Sequence, residues 1–140
     1  MHTGLTPTKM YDAEGREIVF DTTDPTLEVT ALTDADATLT IAQLRRGILT
    51  ITPTANRTLT LPTPALIVAG LPGCVVGSVA KFTIKNLTAS TYTAILAVVT
   101  SLTNGGVAGD LTTAAAATST YALLVTSATP GSETVVLYKL

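Results

Sequence analysis

The stretch Arg57–Cys74, RTLTLPTPALIVAGLPGC, decides how the chain is read. It opens by alternating apolar and polar residues from Arg57 to Leu61, the period of a strand with one buried face. It then runs apolar from Ala65 to Leu71, fenced by prolines and glycines. Thr63 is a good N-cap, and Pro64 is favoured at the first helical position. Gly70 suits a helix end, and Pro72 forbids continuation. The spacing predicts a strand over 57–61 and a buried helix of about two turns over 64–70. A strand is the alternative for the second run, because Ile67 and Val68 are β-branched and a proline is allowed at a strand edge. Seven apolar residues cannot cross ~30 Å of hydrocarbon, so this is not a membrane anchor.

Upstream, Thr40–Gly47 reads TIAQLRRG. Thr40 and Gln43 have capping-box spacing. Arg45 and Arg46 suit the negative end of a short helix, and Gly47 stands where a terminating glycine would. ILTIT, Ile48–Thr52, is a strand joined to RTLTL by the turn Pro53–Asn56. Downstream, Gly77 onward reads as strands throughout. SVAKFTIKN sets Ala80, Phe82 and Ile84 inward against Lys81, Thr83 and Lys85 outward. TYTAILAVVT (91–100) is apolar on both faces, TSTYALLVTSA (118–128) is nearly so, and TVVLYKL (134–140) follows. Turn residues separate these runs at 86–90, 104–106, 109–110 and 130–132. Short, regularly spaced strands of this kind predict an all-β chain, a jelly-roll-like β-sandwich with one or two short helices. The first 36 residues hold most of the acids and only short strand-like pieces, EIVF and LEVTALT. They are read as an extended N-terminal arm or edge region over 1–36, with the sandwich over 37–140.

Composition narrows the function classes. The chain has 140 residues, 46% hydrophobic and 13% charged, with a formal net charge of −2. That balance exerts no pull towards nucleic acid or anionic lipid, and neither partner is expected. Threonine supplies about a fifth of the residues, which suits pleated, half-wet surfaces. With no Trp and 4% aromatics, the core has to be aliphatic. No uninterrupted run approaches ~18 apolar residues, so no membrane helix is expected. The opening residues MHTGLTPTKMYDAEGRE lack the apolar core of a signal peptide. Much apolar surface with little charge points to assembly.

Candidate chemistry is sparse. His2 is the single histidine and Cys74 the single cysteine, too few for a His/Cys zinc set. Cys74 has no histidine base outside the N-terminal tail and reads as a small buried residue. Asn104-Gly105-Gly106 with Asp110 lacks the ligand spacing of a calcium loop. No phosphate-binding glycine motif occurs. No catalytic residue, cofactor or metal is expected.

The run LTIAQLRRGILTITPTANRTLTLPTPALIVAGLPGCVVGSVAKFTIKN, with LLVTSATPGSETVVLYKL at the end, resembles small β-rich virion proteins of tailed bacteriophages. The shared order is an AQL turn ending in Gly, an alternating strand, LPT with an apolar helix, LPG, VG, an F-x-I-x-N strand and a terminal GSE-x-V strand. The resemblance covers roughly 37–140 and implies a capsid decoration or cement protein: a homotrimer, made in the host cytoplasm, that sits on the virion and binds the major capsid protein. A receptor- or glycan-binding tip of a head or tail fibre is the alternative. On this reading Tyr11, Ile18, Val19 and Phe20 of the arm are candidate capsid contacts. Ile95, Val99, Tyr121, Leu123 and Tyr138 are candidate subunit contacts.

Overall fold

Two threonines start the two helices. In this computed structural model, the backbone is described for residues 10–11, 13–15 and 17–18, and residues 27–140 are described in full. Thr40 Oγ1 accepts from the Gln43 N–H, and Gln43 Oε1 accepts from the Thr40 N–H, so two otherwise unpaired donors satisfy each other. Helix α1, Ile41–Arg46, follows and stops at Gly47, whose φ of 105° a side chain would resist. Thr63 Oγ1 accepts from the Leu66 N–H to start α2, Pro64–Gly70. The apolar run is therefore helix, as its caps require, and the strand alternative is set aside. A Cβ at Gly70 would collide with Cγ2 of Ile41, so that glycine lets α2 close onto α1.

The strands are β1 Met10–Tyr11, β2 Glu17–Ile18, β3 Glu28–Ala31, β4 Ala37–Thr38, β5 Gly47–Ile51, β6 Arg57–Thr60, β7 Val79–Asn86, β8 Ala94–Ala97, β9 Leu102–Asn104, β10 Thr112–Thr113, β11 Thr118–Ser127 and β12 Thr134–Lys139. β1 and β2 form a small antiparallel ribbon. The others make a six-stranded sheet, β3-β5-β7-β11-β12-β9, and a four-stranded sheet, β10-β8-β6-β4.

The first half of the body is a stack of rungs. In each of β3–β4, β5–β6 and β7–β8, the first strand joins the larger sheet, a corner turns the chain, and the second strand joins the smaller sheet. Successive rungs pair in parallel: β3 with β5, β5 with β7, β4 with β6, and β6 with β8. A jelly roll is built of antiparallel neighbours, so its strand order does not describe this chain. What matches expectation is coarser: the described residues are mostly strand, in two sheets, with two short helices. The helices α1 and α2 supply the crossover that parallel rungs need. β11 then closes antiparallel on β7, β12 pairs antiparallel with β11, and β9 runs parallel to β12.

Side chains stitch the corners together. Asp36 Oδ1 accepts from the Thr58 N–H at 2.9 Å, and one rung on, Asn56 Oδ1 accepts from the Thr93 N–H at 3.0 Å. Each acceptor immediately precedes the second strand of its rung, so the two bonds are equivalent steps of one ladder. Main-chain donors near a corner, at the start of β6 and just before β8, are within reach of a short Asx side chain on the preceding rung. Asp34 adds bonds to Thr54 Oγ1 at 2.6 Å and Arg57 Nε at 2.7 Å.

One buried cluster fills the space between the sheets. Leu49, Ile51, Phe82, Ile84, Tyr121, Leu123, Val125, Val135 and Leu137 enter from the larger sheet, Leu59, Ala94 and Leu96 from the smaller, and Leu44 and Ile67 from the helices. Phe82 and Tyr121 stack at 5.4 Å between ring centroids. Tyr121 keeps its hydroxyl satisfied by donating to Asp110 O at 2.8 Å. Asn86, fully buried, donates through Nδ2 to Tyr92 O and Thr113 O and accepts at Oδ1 from the Thr88 N–H. Glu28–Ala31, inside the segment read as arm or edge region, forms an edge strand of the larger sheet.

Candidate functional site: the outer face of the larger sheet

The register of the larger sheet lays out its outer face in rows. Val79 pairs with Leu124, Leu124 with Val136, and Val136 with Thr103. The next row is Lys81, Ala122 and Tyr138. A third carries Val29, Ile48, Thr83 and Thr120. Residues between them point into the core, because successive side chains on a strand alternate faces. The outward set is therefore apolar in the middle of a sheet whose inner face is already filled.

Exposure follows. Val29 is 66% exposed, Val79 46% and Tyr138 41%. Leu124 and Val136 are half-buried by their strand neighbours. A Cβ at Gly105 would collide with the Tyr138 ring, so the missing side chain lets that ring lie flat at the sheet edge. Thr83 and Thr120 spend their hydroxyls on each other at 3.0 Å, as do Thr126 and Thr134 at 2.6 Å. Each such pair satisfies part of its own hydrogen-bonding capacity across neighbouring strands.

Its charge is one-sided. β7 presents Lys81 and Lys85 on this face, and β7, β11 and β12 carry no side-chain carboxylate. Lys85 Nζ donates to Ala116 O at 3.1 Å, while Lys81 is exposed.

The residues expected from sequence fall in different places. Tyr138 lies on this face. Tyr121 and Leu123 do not: both are 0% exposed in the single chain and belong to its core. β11 alternates Tyr121, Leu123 and Val125 with Thr120, Ala122, Leu124 and Thr126, so its two faces differ by degree, the inward one being the less polar. The contributors missed are Val79, Leu124 and Val136, in the opposite phase or on neighbouring strands. Ile95 is half-buried on the outer face of the smaller sheet, between Thr58 and Thr112. Val99 packs against the core in the loop after β8. Tyr11 and Ile18 lie in the β1–β2 ribbon, whose side chains are outside the described residues, as are Val19 and Phe20 altogether.

Elsewhere, a groove of about 470 Å³ lies between the start of α2, residues 100–101 and residues 131–134, with Thr63, Thr100, Ser101, Ser132, Glu133 and Thr134 among its lining residues. Cys74 is half-buried in the turn after α2, where its N–H donates to Leu71 O. Among the described residues, no group of three or more His, Cys, Asp or Glu is placed to hold a metal ion, and no helix is long and apolar enough to cross a membrane. The strongest perturbation of a titratable group is at the first corner: the Arg57 hydrogen bond, reinforced by Thr54, lowers the Asp34 carboxyl to about 2. That pair ties two rungs and lies away from the sheet face. No family model, curated protein or solved structure matches this chain.

Proposed function

We propose that this chain is a structural, non-enzymatic virion protein of a tailed phage, a head decoration protein. It acts as a homotrimer, binds the major capsid protein and strengthens the shell. The observation that supports this reading is the outer face of the larger sheet: apolar rows with self-paired threonines, left to water in a single chain. Apolar area of this kind gains stability when another protein covers it, at roughly 25 cal/mol per Å² removed from water. Many copies on a repeating lattice, each held by several weak contacts, multiply modest affinities. The resemblance of residues 37–140 to phage virion proteins points the same way. The test is add-back: heads from a phage deleted for this protein regain heat and osmotic resistance when purified chain is supplied, and the chain co-sediments in numbers matching the lattice sites. Heads that remain fragile, or that bind none, rule the reading out.

The groove lined by Thr63, Thr100, Ser101, Ser132 and Glu133 favours a second reading, a receptor- or glycan-binding fibre tip. Copy number separates the two: a tip is present a few times per virion, a decoration protein at every lattice site.

A further inference from the structure

Asn104-Gly105 is the one Asn-Gly pair in the sequence; the other asparagines, Asn56 and Asn86, precede Arg57 and Leu87. In an open chain such a pair is chemically unstable. The amide nitrogen of the following residue attacks the side-chain Cγ, and a new C–N bond closes a cyclic succinimide. The side-chain nitrogen leaves as ammonia, carrying the proton that the main chain gives up. Water then opens the ring to aspartate or isoaspartate. A glycine in second place has no Cβ to obstruct the approach. The attack needs a free main-chain N–H and a side chain turned onto it in near-attack contact.

The folded chain withholds both. Gly105 N–H donates to Leu137 O at 2.7 Å. Asn104 Oδ1 accepts from the Gly106 N–H at 3.0 Å, and its Nδ2 donates to Val107 O at 2.8 Å. The nucleophile is thus spent on β12 and the leaving group on the loop. The bond to Leu137 O lasts only while β9 lies on the sheet. β9 is three residues long, pairs with β12 and stands at the edge of the larger sheet. Leu102, 2% exposed, pins it to the core. Elements at a sheet edge open locally more readily than the central strands.

We propose that Asn104 is a deamidation site kept shut by the docking of β9 on β12, and that it reacts when β9 lifts from the sheet edge. The product returns poorly. A Cβ on Gly106 would collide with Asp110 Oδ2 and stand 3.7 Å from Asn104 Oδ1, so both side chains border one glycine. Aspartate at 104 sets two carboxylates there, and like charges at close range repel. It also removes the donor to Val107 O. Isoaspartate inserts an extra carbon into the main chain after residue 104 and ends the register that pairs Asn104 with Leu137. Deamidation therefore turns a reversible opening of β9 into a lasting one. The inference does not rest on the capsid reading.

The experiment incubates the purified full-length chain at mildly alkaline pH. Peptide mapping by mass spectrometry and isoaspartate detection follow residue 104, and hydrogen exchange is measured in parallel. Chain held in denaturant supplies the ungated rate; Leu102→Ala removes the pin, with circular dichroism checking its fold. The expected result is that Asn104 reacts about tenfold or more slowly in the native chain than in denaturant, and that folded Leu102→Ala reacts faster than wild type. In wild type, the Gly105 amide exchanges under conditions in which the amides of β11 stay protected. Equal native and denatured rates, no reaction at 104 in denaturant, or a folded Leu102→Ala no faster than wild type overturns the proposal. So does a Gly105 amide that exchanges only together with β11, since opening is then global. Should Leu102→Ala not fold, that wild-type comparison decides.

Discussion

Arg57 Nε donates to Asp34 Oδ1 at 2.7 Å, binding the first corner of the stack to the start of β6. Thr54 donates to the same carboxylate through both its N–H and its hydroxyl. One aspartate thus organises the turn by which the next rung changes sheets.

A pH dependence follows. Asp34 is lowered from 3.8 to about 2 in the folded chain, chiefly by the Arg57 hydrogen bond. A carboxyl whose folded pKa lies below its unfolded value binds fewer protons when folded. Its contribution is therefore complete above 3.8 and disappears as pH falls through about 2. Asp34→Asn removes that dependence. The melting temperature of wild type should exceed that of the variant at neutral pH, and the gap should close across this acid window. A gap that is constant with pH would refute the linkage.

Asn86 is fully buried and uses both ends of its amide. Asn86→Leu strands two carbonyls and one N–H in the core, each costing about 1–3 kcal/mol if left unpaired. Denaturant unfolding should report a loss of about 2–4 kcal/mol. A loss below about 0.5 kcal/mol would mean that the loop repacks to satisfy those groups elsewhere.

Gly70 is tested by adding one carbon. Gly70→Ala pushes a methyl into Ile41 and should destabilise by about 1–3 kcal/mol, the usual cost of overpacking. Ile41→Val, which trims the side chain it meets, should return part of that loss. Simple additivity in the double variant would show that the two sites do not touch.

Tyr121 and Tyr138 separate core from surface. Tyr121→Ala removes a fully buried ring stacked on Phe82 and should cost about 3–5 kcal/mol in the unfolding of the single chain. Tyr138→Ala, at 41% exposure, should cost well under half as much and act instead on association, seen as a lower mass in sedimentation. Equal losses of stability for the two would contradict the assigned faces.

Local chemistry was legible because it is completed within a few residues. Thr40 with Gln43, Thr63 with Pro64, and Gly47 at its positive φ announce two helices and their ends, since caps satisfy donors no more than one turn away. The alternation in VAKFTIKN likewise assigned Phe82 and Ile84 to the core and Lys81 and Lys85 to the surface.

Tertiary structure alone decided the rest. The turn Pro53–Asn56 was visible, but whether it folds β6 back onto β5 or carries it into another sheet depends on partners far away in sequence. Here β5 pairs with β3 and β7, and β6 with β4 and β8, all in parallel. The phase of β11 was only partly legible: Thr118, Thr120 and Thr126 mark one side as the wetter, but Ala122 and Leu124 interrupt it, and the packing settles which side is inward. Phe82 stacks on Tyr121, so Leu124 faces outward. Composition determined that this chain would be β-rich and aliphatic. Long-range pairing determined which of its apolar residues are core and which stay on the outer face.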